Sequence, residues 1–189
     1  MVRPDGRILG RATREIPQHF PAPGEVEHDP ALLFHATVAA GREALSIAGV
    51  GVDAIGITNQ RETLVLWDHA TLEPIGRAIV WQDRRTAARC AELRAAGHEA
   101  EIRARTGLVL DPYFSATKLE WLLRDPALRA RAEGGSLRVG TVESWLVVRL
   151  TGGVHVSDPT NSSRTMLASL ATGDARAIAR SSSVTEPLK

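Results

Sequence analysis

The sequence predicts an α/β fold in which helices pack on a small sheet. Three features support this prediction: a hairpin turn at Pro4-Asp5-Gly6, a helix bounded by Asp29-Pro30 and Gly49, and two apolar segments over 52–58 and 63–68. The apolar segments have the length and composition of buried strands. A helix followed by strands, after a hairpin, is typical of a core with a mixed sheet.

The composition is that of a globular domain. The 189 residues are 43% hydrophobic and 24% charged, and the net charge is +1 without a basic block, which argues against a nucleic-acid or anionic-membrane partner. Cys90 is the single cysteine, so no disulfide can form within the chain. Without a signal peptide or an apolar run of ~20 residues, the sequence predicts a cytoplasmic protein that does not enter a membrane.

The N-terminal elements begin with the hairpin turn. Arg7 to Thr13 is predicted as a strand, and Glu15 to Phe20 is predicted to continue the pairing. A hairpin turn needs a strand on each side, and only Met1 to Arg3 precede this one. We therefore expect the sheet to lack its first strand.

The first long helix has clear boundary signals. Asp29 is a good N-cap and Pro30 suits the first helical position, while Gly49 and Gly51 end the segment near Ala48. The apolar segments that follow, Val52 to Thr58 and Thr63 to Asp68, are predicted strands.

The second half of the chain is mainly helical, and this change of character suggests how the chain divides. We predict one incomplete domain over about residues 1–172, with a core over about 1–82 and a helical insertion over about 83–150. The polar tail over 173–189 has the composition of a disordered segment. The predicted helices are 84–104 (broken at Gly97), 116–124, 126–133 and 142–150, and the predicted strands are 138–141 and 154–156.

A dense polar segment, Asn59 to Thr63, follows the first apolar strand. In open α/β sheets, ligands bind beyond the carboxyl ends of strands. Arg61 supplies a fork of donors and Glu62 supplies acceptors, a combination that suits a polyhydroxy ligand. The alternative is a surface turn with a weak ion pair, and the segment by itself favours that turn.

Two aromatic residues are further candidates. Trp81 ends an apolar pair and could form a flat apolar wall, or it could be a core tryptophan. Tyr113 is the only tyrosine, and it could present its hydroxyl to a ligand or anchor its Pro-containing loop. We predict that Asp83 caps the helix that follows it. Arg164 stands alone in the polar run Thr160 to Thr165, which could be a helix entry or a second ligand-facing loop, and we favour the structural interpretation.

Signatures of other chemistry are weak. The six histidines are scattered, and no pair has the spacing of metal ligands. The sequence contains no nucleophile elbow, Walker A run or dinucleotide-binding glycine pattern.

Three longer runs together resemble one family. GITNQRET at 56–63, AIVWQDRRTA at 78–87 and TGLVLDPYFSATK at 106–118 are similar to glycerol kinases, which are carbohydrate kinases with an actin-like, ribonuclease-H-like core. Further similar runs lie at 18–30, 140–153 and 160–167, so the resemblance covers about residues 5–172. A kinase for another polyol is disfavoured because the NQRET, VWQ and DPYF residues are all present.

The resemblance implies roles for four residues. Arg61 and Glu62 match the pair that hydrogen-bonds the glycerol hydroxyls, Trp81 matches the residue that lines the carbon side of glycerol, and Tyr113 matches a tyrosine whose hydroxyl reaches the substrate. The implied reaction converts ATP and glycerol to ADP and glycerol 3-phosphate with Mg²⁺, in glycerol catabolism.

The departures from the family concern the phosphate side. Family members begin with a strand and a phosphate-binding turn such as DQGTTS, and their general-base aspartate and second actin-like domain correspond to positions beyond residue 189. The resemblance therefore implies a partial ribonuclease-H-like (actin-like ATPase) domain with a mainly helical insertion and without its first strand. We expect this chain alone to bind neither ATP nor Mg²⁺ and to be inactive, because phosphoryl transfer depends on those groups. A frameshift or a mis-assigned gene end would explain the unpatterned tail.

A second hypothesis is a non-catalytic module. In that case the chain would be the polyol-binding or partner-binding half of a split kinase, complemented by a separately encoded C-terminal half, and a homo-oligomer also remains open. A neighbouring reading frame that begins with the rest of the kinase would favour a split or broken enzyme.

Overall fold

Two short antiparallel strand pairs form the sheet of the computed structural model, which describes residues 1–170. The predicted tail over 173–189 lies outside the described residues. The strands are β1 (Glu27–His28), β2 (Val65–Asp68), β3 (Ala78–Ile79) and β4 (Leu137–Gly140). The helices are α1 (Pro30–Ala48), α2 (Ala87–Ala95), α3 (Glu99–Thr106), α4 (Ser115–Leu122), α5 (Pro126–Glu133), α6 (Val142–Thr151) and α7 (Pro159–Ser162).

The two strand pairs are joined at one position. β1 pairs with β3 and β2 pairs with β4, with Val65 opposite Gly140 and Glu27 opposite Ile79. An antiparallel bridge between Leu64 and Ile79, with both backbone hydrogen bonds at 3.0 Å, connects the pairs. All pairings between the strands of residues 1–170 are antiparallel, so the mixed sheet expected from the sequence is not seen in this part.

Helix α1 forms as predicted. The Asp29 side chain accepts hydrogen bonds from the backbone N–H groups of Ala31 and Leu32, at 2.9 and 3.1 Å. Pro30 occupies the first turn, and Gly49 ends the helix in the left-handed region with φ 64°. These signals fix both ends because each satisfies backbone groups that the helix leaves free.

The main core lies between α1, β2 and α6. The rings of Trp67 and Trp145 pack with their centroids 5.8 Å apart, and the Trp145 indole N–H donates to the Pro30 carbonyl at 2.8 Å. A second cluster covers the other side of the strands with the side chains of Leu64, Leu66, Leu119, Leu123, Ala132, Leu137 and Val139. The strands are therefore buried on both sides, which explains their continuous apolar sequence.

Several strand predictions were wrong. Gly6 N–H donates to the Arg3 carbonyl in the predicted turn, but the pairing across it is a single bridge between Val2 and Ile8, and no strand forms over 7–13 or 15–20. The segment 52–58 is also not a strand, and Ile55 is 73% exposed. No strand among residues 1–170 pairs with 52–58, and an apolar segment without a backbone partner does not form a ladder. The predicted strand 154–156 is likewise irregular.

The helical segment agrees with its prediction except at the start. The break at Gly97, with φ 87°, separates α2 from α3. Asp83 does not cap α2, whose N-cap position is Thr86. Instead, Asp83 is fully buried in an ion pair with Arg85. Among residues 1–170, no helix has the length and apolar character needed to cross a membrane.

Candidate functional site

Two loops meet at the edge of the sheet and bring two aromatic rings together. Trp81 lies just beyond β3, and Tyr113 lies in the loop before α4. Their ring centroids are 5.4 Å apart and their planes are inclined at 60°. Both residues are half-buried, so part of each remains exposed. We call these two rings the aromatic wall.

Glu62 lies in the turn before β2 and is held at both ends. Its side chain is buried, with the residue 4% exposed, and Oε1 accepts a hydrogen bond from Arg164 Nε at 2.7 Å. Its backbone carbonyl accepts from the Ser115 hydroxyl at 3.1 Å, which ties this turn to the start of α4. The carboxylate keeps acceptor capacity beyond the single bond from Arg164.

Arg164 connects the Glu62 carboxylate to the aromatic residues. Its guanidinium carbon lies 5.7 Å from the ring centroid of Tyr113 and 5.0 Å from that of Phe114, distances at which a cation is attracted to a ring face. Burial lowers the pKa of Arg164, but the hydrogen bond and charge of Glu62 outweigh it, and the net shift is upward. The sequence interpretation, which treated the run 160–165 as structural, overlooked this contact. A lone arginine in a polar run was the available signal.

Arg61 lies at the rim of the same cluster. Its side chain is exposed, and Nη1 is 3.4 Å from the Thr160 carbonyl, at the outer limit of a hydrogen bond. The segment that includes Thr160 and Arg164 therefore contacts both Arg61 and Glu62. Of the four residues singled out from the sequence, Glu62, Trp81 and Tyr113 lie in one connected cluster, and Arg61 borders it.

A buried lysine lies behind the aromatic wall. Lys118 Nζ donates to the Tyr113 carbonyl at 2.9 Å and lies 3.5 Å from the Trp81 carbonyl, at the outer limit of a hydrogen bond. Burial lowers the pKa of Lys118 from 10.5 to about 8, and the carboxylates of Asp83 and Glu62 partly oppose that shift. The sequence interpretation gave Lys118 no role, although it stands in the run TGLVLDPYFSATK.

The Asp83–Arg85 pair supports the loop that carries Trp81. Asp83 Oδ2 accepts from the Val26 backbone N–H at 2.7 Å and from Arg85 Nη2 at 2.8 Å. Arg85 also donates to Glu27 at 2.8 Å, and its guanidinium lies 4.7 Å from the Trp121 ring. Burial lowers the pKa of Arg85, but its bonds to Asp83 and Glu27 raise it overall. The pair thus links β1, the loop after β3, and α4.

A second polar group surrounds the Glu143 carboxylate at the start of α6. The Asn59 amide donates to Glu143 Oε2 at 3.3 Å, and the Ser157 hydroxyl donates to Glu143 Oε1 at 2.6 Å. Thr141 also donates to the Glu143 carboxylate. Asn59, the first residue of the polar run, therefore makes a structural contact with α6.

The cluster has the chemistry of a hydroxyl-binding site. It combines an anchored carboxylate acceptor, guanidinium donors and an apolar aromatic face, which match the O–H groups and the carbon side of a polyol. In residues 1–170, no group of three or more His, Cys, Asp or Glu side chains could hold a metal ion.

Comparison with known proteins identifies the class. The profile of the FGGY family of carbohydrate kinases, N-terminal domain, matches residues 1–179. The chain therefore belongs to the FGGY family of carbohydrate kinases.

The similar relatives include many enzymes named glycerol kinase. The chain is 56% identical to a glycerol kinase of Rhodospirillum rubrum over 168 residues, which are 86% of this chain and 34% of that protein. It is 57% identical to a glycerol kinase of Methylobacterium nodulans over 172 residues, with 88% of this chain and 34% of that protein covered. The chain thus spans about a third of the length of these relatives.

Solved structures support the fold. The crystal structure of Plasmodium falciparum glycerol kinase with ADP aligns with a TM-score of 0.84 at 31% identity, covering 91% of this chain and 36% of that one. The xylulose kinase of Rhodospirillum rubrum aligns with a TM-score of 0.76 at 27% identity, covering 89% and 34%. These alignments confirm the family resemblance and the predicted α/β, actin-like kinase fold. The bounds of the insertion and the absent first strand remain predictions.

Proposed function

We propose that this chain is the glycerol-binding part of a glycerol kinase, which transfers a phosphoryl group from ATP to glycerol. The observation that carries the proposal is the convergence of Glu62, Trp81 and Tyr113 in one cluster, on a chain 56% identical to a protein named glycerol kinase. Before any ligand is considered, the geometry supplies an acceptor, donors and an apolar wall.

Each of the four residues has a separate role in the proposal. Glu62 accepts hydrogen bonds from glycerol hydroxyls, and Arg61 donates to them from the rim. Trp81 covers the carbon side of glycerol, and Tyr113 directs its hydroxyl at the ligand. The exposed position of Arg61 supports a residue that closes on the ligand when it arrives, since within residues 1–170 its side chain makes a single hydrogen bond, the long one to Thr160.

This arrangement favours glycerol over analogues with fewer hydroxyls. A site built to hydrogen-bond a hydroxyl is left with unpaired buried groups when the hydroxyl is absent, so it rejects the analogue strongly. Glu62 is such a group because it is buried and has a single side-chain partner, Arg164, among the hydrogen bonds of the described residues.

ATP and Mg²⁺ belong to the proposal for the whole enzyme. Phosphoryl transfer needs phosphate donors, a metal and a base near the accepting hydroxyl. We expect the chain by itself to bind glycerol without phosphorylating it.

The domain division is also part of the proposal. A core over about residues 1–82 and a helical insertion over about 83–150 would together make the N-terminal domain over about 1–172. The change from strands and α1 to the helices α2 to α5 near residue 83 supports this division.

The test is a calorimetric titration of the folded chain with glycerol. We expect saturable binding that is abolished in Arg61→Ala and retained in Arg42→Ala, which replaces an exposed arginine on α1, a helix that contributes no residue to the cluster. 1,2-Propanediol, which lacks one hydroxyl, should bind much more weakly. A chain that melts cooperatively but shows no saturable heat with glycerol would overturn the proposal. Glycerol binding without turnover in the presence of ATP would favour the hypothesis that the chain is the polyol-binding half of a split kinase.

A further inference from the structure

We propose that Lys118 is a positioning residue of the polyol site, whose ammonium fixes the spacing between the two loops that carry Trp81 and Tyr113. This inference rests on the proposed function, because the two loops matter only if their rings bind the ligand. It adds a residue that touches no ligand and acts through the backbone.

The geometry is that of a clamp between two loops. Lys118 lies on α4, five residues along the chain from Tyr113, and its Nζ lies 2.9 Å from the Tyr113 carbonyl and 3.5 Å from the Trp81 carbonyl. The two carbonyls belong to loops separated by α2 and α3 in the sequence. One side chain therefore connects both halves of the aromatic wall.

The complete burial of Lys118 shows that its ammonium is not a solvent-exposed surface charge. Lys118 is 0% exposed, whereas lysine is among the residues least often buried completely. Burying an ammonium carries a large desolvation cost, so its hydrogen bonds and nearby carboxylates must compensate for it. The sequence contains 23 Lys and Arg residues, of which only Lys118 and Lys189 are lysines. A compact ammonium suits this position, where the planar guanidinium of an arginine would need more space.

The neighbouring helix holds the clamp in place. Thr117, beside Lys118 on α4, shares a 2.9 Å hydrogen bond with the Thr86 hydroxyl at the start of α2, and the Ala116 backbone N–H donates to the Thr165 carbonyl at 2.8 Å. The first turn of α4 is thus fixed on two sides. Lys118 projects from a rigid support and can impose a position on the loops.

The charges around Lys118 give the clamp a pH dependence. Asp83 and Arg85 face it from the loop after β3, Glu62 from the turn before β2, and Asp111 from the loop before α4. Burial is the largest influence and lowers the pKa to about 8. Above that pH the neutral amine makes weaker hydrogen bonds than the ammonium, since charge-assisted bonds are roughly twice as strong.

Glycerol affinity and folding stability should then respond to pH in opposite directions. The pKa of Lys118 in the folded chain lies below the unfolded value of 10.5, so between about 8 and 10.5 the unfolded chain holds the proton more often. The contribution of Lys118 to the free energy of unfolding therefore rises with pH in this window. Affinity should fall in the same window, because the wall loses its ammonium clamp. A residue that only affected folding would change the free energy of unfolding and leave the affinity of the folded chain for glycerol unchanged.

The experiment compares the wild-type chain with Lys118→Met by calorimetry with glycerol at pH 7 and pH 9. We expect wild-type affinity to fall several-fold at pH 9, and Lys118→Met to bind about tenfold more weakly at pH 7 with no further loss at pH 9. Lysine ¹³Cε NMR follows the titration directly, because the signal that disappears in Lys118→Met identifies Lys118. Arg42→Ala should follow the wild-type profile.

The outcomes separate this inference from the proposed function. Wild-type affinity that is equal at pH 7 and 9, or a Lys118→Met variant that binds as the wild type does, overturns the role of Lys118 while glycerol binding stands. If the wild type does not bind glycerol, the proposed function fails. The role of Lys118 is then tested by the part of the near-ultraviolet circular dichroism that is lost in Trp81→Leu, because this signal reports the packing of the Trp81 ring. That signal should weaken as Lys118 deprotonates, and a constant signal overturns the inference. If Lys118→Met does not fold, the wild-type pH comparison decides alone.

Discussion

Arg164 Nε donates to the Glu62 carboxylate at 2.7 Å while its guanidinium lies 5.0 Å from the ring centroid of Phe114. The two residues are far apart in sequence, and each brings one element to the site: the turn before β2 and the segment after α7. A planar guanidinium can bond a carboxylate along its edge and pack its face on a ring, which an ammonium cannot do.

Arg164→Met should lower the free energy of unfolding by about 1 to 3 kcal/mol, because it leaves the buried Glu62 carboxylate without its side-chain partner. Arg164→Lys should recover only part of the loss, since lysine keeps the charge and loses the planar contact with the ring. Urea unfolding measures both values. The double variant Arg164→Met with Glu62→Gln should be less destabilised than the sum of the single variants. Additive effects would argue that the pair is not coupled.

The neighbouring arginines Arg84 and Arg85 should respond very differently to substitution. The Arg85 side chain is 5% exposed and paired with Asp83, whereas the Arg84 side chain is 61% exposed and 3.9 Å from Asp111. Arg85→Met should destabilise the chain by about 3 kcal/mol, because the buried Asp83 charge loses its partner. Arg84→Met, the matched control, should change stability by at most about 0.5 kcal/mol. Equal effects in urea unfolding would contradict the assigned burial.

Two glycines should give opposite results when replaced by alanine. At Gly140, a Cβ atom would lie 2.7 Å from Ser144 Cβ and 2.9 Å from Trp67 Cη2, so Gly140→Ala should cost about 1 to 3 kcal/mol. At Gly41, within α1, a Cβ meets nothing within 4 Å, and Gly41→Ala should stabilise the helix by about 0.5 to 1 kcal/mol. Thermal melts of both variants test the prediction, and a stabilised Gly140→Ala would refute the close packing of β4 on α6.

Stability should fall as the pH drops below about 6.5, the ordinary pKa of histidine. Burial lowers the pKa of His28, with the charge of His19 adding to the effect, and burial followed by Arg138 lowers the pKa of His155. The folded chain therefore binds fewer protons than the unfolded chain just below pH 6.5, so the free energy of unfolding decreases as the pH falls. Urea unfolding between pH 7.5 and 5.0 measures this slope. The slope should be shallower in His155→Gln, which removes one of the two histidines whose pKa is lowered in the folded chain.

Local signals were sufficient for most helices and for β2. Asp29 and Pro30 define the start of α1, and Gly97 marks the break between α2 and α3, because caps and helix breaks depend on neighbouring residues in the sequence. The apolar segment 52–58 was misassigned because a strand depends on a partner that its own sequence does not specify.

The sequence pointed to the aromatic residues of the candidate site and to the residues of the polar run. It did not predict the contacts that support them. The residue types made Glu62, Trp81 and Tyr113 candidates, and the resemblance to glycerol kinases gave them their roles. Arg164 and Lys118 act through contacts with residues more than thirty positions away, at Glu62 and Trp81, and spacing in the sequence carries no information about such contacts. Asp83 was assigned as a cap because its position before a helix was visible and its burial against Arg85 was not.

The antiparallel bridge between Leu64 and Ile79 also determines how the polyol site can tolerate change. Glu62 lies two residues before Leu64, and Trp81 lies two residues after Ile79, so both lie beyond the same end of the antiparallel bridge. The Trp81 backbone N–H donates to the Thr63 hydroxyl at 3.2 Å. Their separation is set by this bridge and by the Thr63–Trp81 hydrogen bond, and it is independent of the length of the connection between the strands. The exposed turn around His69 to Thr71 could therefore accept inserted residues, or a reporter peptide, without altering the distance between the carboxylate and the indole.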